Sequence, residues 1–353
     1  MYLSLWMWTV LCVSLMVVML VFAADKTIVI ADASQDQSGL GGDSSHTGHG
    51  EQDVLLALIR DYGMEGSFCI PLPQGIKPEN VVMENRYMHQ ELWVYIQGGN
   101  QFFYRGNGIY GDISHVLEGY CEEWEDGILL KLEMDEVLEY RSTLEGNTLT
   151  IAGSKPHELY DFLVVLDPAG GGSDLGTEGG SLVEKELTLE VAKLVQRQLE
   201  LQNVRLYLTR TEDVDVESRD RAAFAEAVGA DLYIRISAQA DAENPESYGI
   251  QGIYNEEYFI PGYGNATLAD AVTRAVTIAS SNRALGLVPA AKDSVLRSVK
   301  TTAMELSLGY LSNPQEAELL EQAFYQEKLA AGILNAVQEA CKAMEQLREE
   351  EGK

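Results

Sequence analysis

The pattern of apolar and polar positions changes character along the chain. From Tyr160 onward, short apolar runs alternate with longer segments in which apolar residues recur every three or four positions. The short runs predict strands and the longer segments predict helices. The strands are Phe162–Leu166, Val204–Leu208, Leu232–Ile236, Ile250–Tyr254 and Thr302–Leu306, and the helices are Glu184–Leu201, Arg219–Val228, Leu268–Ser280, one after Pro314, and Phe324–Leu347. This alternation predicts an α/β fold, a central sheet flanked by helices, over residues 160–345.

Residues 54–157 show a different pattern, with short apolar or alternating runs separated by turn residues. The runs include Leu92–Ile96, Phe102–Tyr104, Ile128–Leu132 and Thr148–Ile151. Glycine–asparagine turns such as Gly98-Gly99-Asn100 and Glu145-Gly146-Asn147 lie between them. Short strands at this spacing predict a β-rich domain of roughly a hundred residues.

The start of the chain predicts a membrane or export segment. Residues 1–24 carry no charged side chain and form an almost unbroken apolar run, about as long as the ~20 residues that span a bilayer as a helix. An uncleaved anchor is favoured, although Val21-Phe22-Ala23 before Ala24 also fits a signal-peptide cleavage site. Residues 25–53 are rich in Gly, Ser and Asp in most of their length and predict a flexible linker. Both alternatives place the rest of the chain at the extracytoplasmic face of the cell membrane, or outside it.

The charge of the chain narrows the classes of partner. The formal net charge is -30, and a surface this acidic repels nucleic-acid phosphates and anionic lipid headgroups. Nucleic acid is therefore not expected as a partner. Membrane contact is expected only through the N-terminal helix.

The cysteines do not form a metal-binding motif. Cys12, Cys69, Cys121 and Cys341 are far apart and include no C-x-x-C pair. An exported domain permits a Cys69–Cys121 disulfide, but the spacing favours isolated buried thiols.

Five ordered motifs of the second domain carry a family resemblance. They are Leu166-Asp167-Pro168-Ala169-Gly170-Gly171-Gly172-Ser173-Asp174, Glu184-Lys185-Glu186-Leu187-Thr188-Leu189, Leu208-Thr209-Arg210 with the later Arg221, Gly229-Ala230-Asp231-Leu232, and Gly309-Tyr310-Leu311-Ser312-Asn313. In this order they resemble the L-D-P-G-H-G-G-x-D, E-K-D-L-x-L, L-T-R, G-A-D-L and G-F/Y-L-S-N motifs of the zinc-dependent N-acetylmuramoyl-L-alanine amidases of bacterial cell walls. The resemblance covers about Asp161 to Ala343.

The resemblance implies a zinc site whose residues are largely replaced in this chain. The family's three zinc ligands fall on Gly170, Glu184 and Ser237, and its general-base glutamate falls on Ser307. Of these four positions only Glu184 keeps the family residue. Hydrolytic zinc needs about three protein ligands to activate a water. We therefore expect no bound cofactor and no catalytic residue in this domain.

No histidine of the second domain replaces the missing ligands. The five histidines, His46, His49, His89, His115 and His157, all precede Glu158, and the one cysteine that follows, Cys341, lies in the predicted terminal helix. A rebuilt imidazole or thiolate zinc site inside the domain is therefore excluded by composition.

Several residues are candidates to fill the vacated site. Arg235 shares a strand face with Ser237, which leaves two interpretations open. In one, its guanidinium enters the old metal cavity and neutralises Glu184, because an unpaired buried carboxylate is costly. In the other, Arg235 points to solvent and the collapsed site is filled with water. The candidate binding residues are Gly170, Asp174, Glu184, Arg221, Arg235 and Ser237. Asp174, Glu178, Glu184 and Glu305 also form a weaker oxygen-donor set for a hard cation such as calcium, with solvated carboxylates as the default interpretation.

These observations favour a tethered envelope protein that keeps the amidase fold without its catalysis. It would bind peptidoglycan or an envelope protein, and the β-rich domain is similar in position and pattern to the small domains that dock amidases on the wall. One alternative is an active N-acetylmuramoyl-L-alanine amidase with an unfamiliar site. Another is a scaffold that binds an envelope protein and not the wall.

Overall fold

The computed structural model describes residues 53–201 and 203–351. The chain divides between Lys155 and Pro156 into two compact units. The predicted anchor or signal segment, residues 1–24, lies outside the described residues, as does the linker up to residue 52. None of the helices that the structure describes has both the length and the apolar character needed to cross a membrane.

Between residues 53 and 155, the first unit contains ten strands. They are β1 (Val54–Leu55), β2 (Leu58–Arg60), β3 (Ser67–Pro71), β4 (Val81–Arg86), β5 (Glu91–Gln97), β6 (Ile109–Gly111), β7 (Val116–Trp124), β8 (Gly127–Met134), β9 (Glu139–Glu145) and β10 (Thr148–Ser154). They form two five-stranded sheets, ordered β1-β7-β8-β5-β4 and β2-β6-β3-β10-β9. Residues of both sheets, such as Ile70 and Val94, share one hydrophobic core, so the unit is a β-sandwich.

One predicted strand of this unit is wrong. Phe102–Tyr104 belongs to a short helix, α1 (Gln101–Tyr104), which begins after Asn100. The Asn100 side chain accepts a hydrogen bond from the backbone N–H of Phe103 and so caps the helix. Asparagine is among the preferred N-cap residues, and this local capping outweighs the apolar run that favoured a strand.

The three cysteines that the structure describes are free. Cys69, Cys121 and Cys341 are buried thiols. A Cys69–Cys121 disulfide is therefore not formed, in agreement with the favoured prediction of isolated thiols.

The second unit alternates strands and helices. Its elements are α2 (Pro156–Leu159), β11 (Phe162–Pro168), β12 (Glu178–Gly179), β13 (Leu182–Val183), α3 (Glu184–Gln198), β14 (Val204–Leu208), α4 (Ser218–Ala227), β15 (Leu232–Gln239), β16 (Ile250–Tyr254), α5 (Asn265–Ser280), β17 (Ala284–Pro289), β18 (Thr302–Tyr310), α6 (Pro314–Leu320) and α7 (Ala323–Glu351). The predicted α/β class with a central sheet and flanking helices is confirmed. The strand β17 was not predicted, because its half-exposed residues alternate too weakly to stand out.

The central sheet is mixed and has the order β14-β11-β15-β18-β16-β17. β14, β11, β15 and β18 run parallel, whereas β16 is antiparallel to β18. The helices α3 and α5 pack against the long terminal helix α7. Buried side chains of the sheet and of these three helices form one core.

The parallel strands determine where a site can lie. β11, β15 and β18 are neighbours, and their carboxyl ends meet at one edge of the sheet. Ligands of open α/β sheets bind outside the carboxyl ends of the strands. The residues predicted to line the site fall at this edge, on the loop and helix that follow β11, or, for Arg221, on α4.

Candidate functional site

The loop after β11 is a tight glycine turn. Gly170, Gly171 and Gly172 all have positive φ angles, of 69°, 127° and 56°, which residues with a side chain adopt only with strain. A Cβ atom added at Gly170 would lie 2.9 Å from the carbonyl oxygen of Asp174 and 2.9 Å from the Cβ of Lys185. The backbone of the turn therefore requires glycine at the position where the resemblance expects a histidine ligand.

Two buried arginines donate hydrogen bonds to the backbone of this turn. Arg221 donates hydrogen bonds to the carbonyl oxygens of Pro168 (2.9 Å) and Gly170 (2.7 Å). Arg210 donates to the carbonyl oxygen of Ala169 at 2.9 Å. The guanidinium of Arg221 also forms an ion pair with Asp167. Arg221, which was predicted to bind a ligand, therefore stabilises the backbone of the turn instead.

Glu184 begins α3, and its carboxylate joins the loop after β11 to the end of β15. One oxygen, Oε2, accepts a hydrogen bond from the backbone N–H of Thr177 at 2.7 Å. The other, Oε1, accepts from the backbone N–H of Ala238 at 2.8 Å. Its side chain is buried, so both oxygens have found partners within the protein.

Arg235 does not pair with Glu184, and this prediction is wrong. Its guanidinium forms an ion pair with Asp167 on β11 and lies 3.7 Å from an oxygen of Glu305 on β18. Arg235 stands in register with Asp167 on one neighbouring strand and with Glu305 on the other. Arg235 therefore takes its partners from its cross-strand neighbours, and the backbone N–H groups of Thr177 and Ala238 already satisfy Glu184.

Asp167 is the centre of a buried charge network that the sequence did not reveal. It accepts hydrogen bonds from Thr209, Tyr233, Arg221 and Arg235. Complete burial alone would raise the pKa of Asp167, but the charges of Arg235 and Arg221 outweigh it and hold that pKa well below its usual range. Asp167 is therefore ionised and fully paired.

Ser237, Ser307 and Glu305 lie side by side at the same edge. Ser237 and Ser307 are in register on β15 and β18. The Ser237 hydroxyl donates to Oε1 of Glu305 at 2.8 Å, whereas the buried Ser307 hydroxyl has no hydrogen-bond partner among the described residues. Burial raises the pKa of Glu305, and the nearby Arg235 and Ser237 offset only part of this effect.

The remaining candidate carboxylates are not gathered into a cation site. Asp174 is exposed, and its side chain accepts from the backbone N–H of Gly176 within its own loop. Glu178 is exposed on β12. Within residues 53–201 and 203–351, the group of three close metal-ligating side chains is His115, Asp135 and Glu136 of the first unit. Asp174, Glu178, Glu184 and Glu305 form no such group.

The comparisons with known proteins match the second unit. The N-acetylmuramoyl-L-alanine amidase family model matches residues 164–339. The germination-specific N-acetylmuramoyl-L-alanine amidase of Bacillus subtilis is 30% identical over 191 residues, which cover 50% of this chain and 78% of that protein. The amidase CwlM of Bacillus licheniformis is 30% identical over 181 residues, 50% of this chain and 68% of that protein. The chain belongs to the N-acetylmuramoyl-L-alanine amidase family.

A solved structure of the family was also compared. An N-acetylmuramoyl-L-alanine amidase from Clostridium difficile 630 is 28% identical, with a TM-score of 0.48 over 50% of this chain and 95% of that one.

The zinc that the amidase family implies does not fit the side chains of this chain. Gly170 offers no donor atom, and the Ser237 hydroxyl is engaged with Glu305. Ser307 offers a neutral hydroxyl, which is a poor zinc ligand. One carboxylate, Glu184, remains, and it already accepts two backbone hydrogen bonds. A zinc ion needs about three imidazole, thiolate or carboxylate ligands in this kind of site, so the donor set is too small.

Two features of this amidase-family site escaped the sequence analysis. Glu305 was considered only as an oxygen donor for a hard cation, but its side chain is long enough to reach the Ser237 hydroxyl on the next strand. Asp167 was treated only as part of a motif. A signal was present in both cases: an arginine and two acids lie near the ends of three strands that the sequence predicts.

Proposed function

We propose that this member of the amidase family is a pseudoenzyme of the bacterial envelope, which keeps the fold and binds peptidoglycan or an envelope protein without cleaving the muramoyl–L-alanine bond. The observation that carries the proposal is the hydrogen bonding of the Glu184 carboxylate. Both oxygens of this one remaining family ligand accept backbone hydrogen bonds. In this chain Glu184 connects the loop after β11 to the end of β15.

The charges around the former metal position also support the proposal. Arg235 lies on β15 two residues before Ser237 and on the same strand face, and its positive charge opposes a divalent cation bound nearby. Arg235 also neutralises Asp167 and approaches Glu305. These ion pairs offset the buried charges of this edge with side chains of the chain itself.

The family itself supports a ligand in the wall. The relatives that the chain matches are named as amidases that act on N-acetylmuramoyl-L-alanine, and a groove suited to that glycopeptide can outlast its catalysis. We therefore propose peptidoglycan as the first ligand to test. The net charge of -30 speaks against nucleic acid.

The decisive experiment measures release of L-alanyl peptides from purified peptidoglycan. The purified full chain is incubated with the wall in the presence and absence of added Zn²⁺, beside a zinc-dependent amidase of the family as positive control. We expect no release above the background without protein, at either zinc concentration. Zinc-dependent release by this chain would overturn the proposal.

A second experiment separates the two kinds of ligand. Insoluble peptidoglycan is sedimented with the full chain, and bound protein is measured over a range of salt concentrations. Co-sedimentation that persists at physiological salt supports wall binding. Its absence favours an envelope protein as the partner, which is the scaffold alternative.

One observation favours the alternative of an active hydrolase. Glu305 has a raised pKa and accepts a hydrogen bond from Ser237, which is the relationship of a general base to a hydroxyl nucleophile. If the wall assay shows release without zinc, Ser237→Ala and Glu305→Gln should each abolish it. Release that survives both substitutions would exclude this pair as its source.

The location in the cell is also a proposal. Residues 1–24 are apolar and uncharged, and we propose that they hold the two domains at the outer face of the membrane. Fractionation of cells, with N-terminal sequencing of the protein recovered, tests this. A mature chain that begins after Ala23 and is released from the membrane would show a cleaved signal instead.

A further inference from the structure

A cluster of three metal-ligating side chains lies in the first domain, apart from the amidase-family site. His115 directly precedes β7, and Asp135 and Glu136 directly follow β8. Because β7 and β8 are antiparallel neighbours, the start of one lies beside the end of the other. The backbone N–H of Asp135 donates to the carbonyl oxygen of His115 at 3.1 Å, so the main chain fixes the two segments together.

The three side chains converge on one point. The Nδ1 atom of His115 lies 3.0 Å from Oδ1 of Asp135 and 2.9 Å from Oε1 of Glu136. The other oxygen of Glu136, Oε2, is held by the ammonium group of Lys155 at 2.9 Å. Lys155 thus fixes Oε2 of Glu136, and Oε1 faces the imidazole of His115.

These atoms lack the protons needed to satisfy one another. Nδ1 carries at most one proton, and its hydrogen bond is made with Asp135. Oε1 of Glu136 is buried from solvent and takes part in no hydrogen bond, although the imidazole nitrogen is close. A buried carboxylate oxygen without a hydrogen bond is uncommon and calls for a ligand or ion to explain it.

We propose that His115, Asp135 and Glu136 bind one divalent metal ion of the zinc class. One imidazole nitrogen and two carboxylate oxygens are a donor set that zinc accepts, at metal–ligand distances of about 2.0–2.2 Å. Tetrahedral bonds of that length separate the ligand atoms by about 3.3 Å. The observed separations of 2.9 and 3.0 Å reach this value after a shift of a few tenths of an ångström.

The exposure of the cluster agrees with an open fourth position. The side chains of His115, Asp135 and Glu136 are 40%, 42% and 29% exposed, so an ion enters from solvent and keeps a water molecule. The ion would tie the segment before β7 to the segment after β8. Its role would be to stabilise the β-sandwich, and it does not rest on the function proposed for the amidase-family domain.

The test is a zinc titration of the full chain, purified without a polyhistidine tag and followed by competition with a chromophoric chelator. We expect one tightly bound ion per chain. His115→Gln should weaken binding by at least about tenfold, since even the loss of a group that only orients a metal ligand costs that much. Asp135→Asn should do the same and serves as a second variant if His115→Gln fails to fold.

Matched controls separate this site from other histidines. His89→Gln removes another imidazole of the same domain, and the double variant His46→Gln/His49→Gln removes the two in the linker. We expect both to bind zinc as the unsubstituted chain does. As an independent readout, zinc should raise the unfolding temperature of the β-sandwich, followed by the fluorescence of Trp93 and Trp124.

Two results would overturn the proposal. One is an unsubstituted chain that binds zinc no more tightly than His115→Gln does. The other is stoichiometric binding that is lost in the linker variant and kept in His115→Gln. Either would mean that His115, Asp135 and Glu136 are an ion-pair cluster of the surface.

Discussion

Arg235 is ion-paired with Asp167, its cross-strand neighbour on β11, near the edge of the sheet where the amidase family would bind zinc. On the other side, Arg235 faces Glu305 of β18 in the same register. Asp167, Arg235 and Glu305 therefore form a row of alternating acidic and basic side chains across three parallel strands. The positive charge of Arg235 lies between the two carboxyl groups of this row. Arg221 adds a second positive charge at Asp167.

The first prediction concerns this row. Arg235→Met leaves Glu305 without its cation and removes one of the two cations of fully buried Asp167. Breaking a buried ion pair costs about 3–5 kcal/mol, and we expect the free energy of unfolding of the α/β domain to fall by an amount near the lower end of that range. Denaturant unfolding followed by far-UV circular dichroism measures it, since the long helices lie in this domain.

Arg274→Met is the matched control for the loss of an arginine. Arg274 pairs with Asp270 one helical turn away, and both side chains are 61% exposed. Exposed pairs of this kind contribute about 0.5 kcal/mol or less. Equal, small effects of both substitutions would contradict the structural role of the Arg235 row.

The second prediction concerns the backbone at Gly170. Gly170 has a φ of 69°, and a Cβ atom added there would lie 2.9 Å from the carbonyl oxygen of Asp174 and 2.9 Å from the Cβ of Lys185. We expect Gly170→Ala to destabilise the domain by more than the roughly 1–2 kcal/mol that a left-handed conformation costs. Gly180→Ala is the control, because Gly180 has a φ of 64° with no atom near its Cβ position, so it measures the conformational cost alone.

The same strain bears on restoring the zinc site. The triple variant Gly170→His/Ser237→His/Ser307→Glu rebuilds the family's donor set in composition. We expect it to bind no stoichiometric zinc beyond the unsubstituted chain, because the turn resists a side chain at position 170 and the positive charge of Arg235 remains two residues from position 237. Metal analysis after dialysis checks this, and one additional zinc ion per chain would show that the backbone adapts.

The sequence was sufficient to predict the α/β domain because its strands are apolar and its helices have a clear period. The buried strand Phe162–Pro168 and the helix Glu184–Gln198 were both predicted from these features. The short helix Gln101–Tyr104 was missed because a capping interaction of Asn100 decides it. Capping is a local hydrogen bond that competes with hydrophobic pattern over only four residues.

The site was predicted less completely, for a physical reason. The identity of the replaced positions followed from the motifs, but the partner of Arg235 did not. Strand periodicity places Arg235 and Ser237 on one face, yet it does not determine which strand lies alongside. The order β11-β15-β18 brings Asp167 and Glu305 next to Arg235, and this order depends on tertiary structure.

The third prediction concerns Glu184. Glutamine keeps the shape of the side chain but replaces one carboxylate oxygen with an amide that donates. One of the backbone N–H groups of Thr177 and Ala238 then loses its acceptor, and we expect a loss of about 1–3 kcal/mol in the free energy of unfolding. Added zinc should not change the stability of either form through this residue.

Glu190→Gln on the same helix is the control for Glu184→Gln. Glu190 is 48% exposed and pairs with Arg197, so its substitution should change stability by less than about 0.5 kcal/mol. If zinc stabilises the unsubstituted chain and Glu190→Gln but not Glu184→Gln, Glu184 acts as a metal ligand and the structural interpretation is wrong.

The last prediction concerns the pH dependence that Glu305 introduces. Burial raises its pKa in the folded chain above the ordinary value of 4.5, so the folded state holds the proton more tightly than the unfolded state does. The stability from this proton is fully present below pH 4.5 and is lost as the pH rises through the raised pKa. Glu305→Gln cannot ionise, so the free energy of unfolding of the α/β domain should fall less between about pH 4 and pH 8 than in the unsubstituted chain.

The exposed Glu318 provides the control variant Glu318→Gln, in which the free energy of unfolding should fall with pH as steeply as in the unsubstituted chain. Identical slopes in all three proteins would show that Glu305 is ionised in the folded state as readily as in the unfolded state.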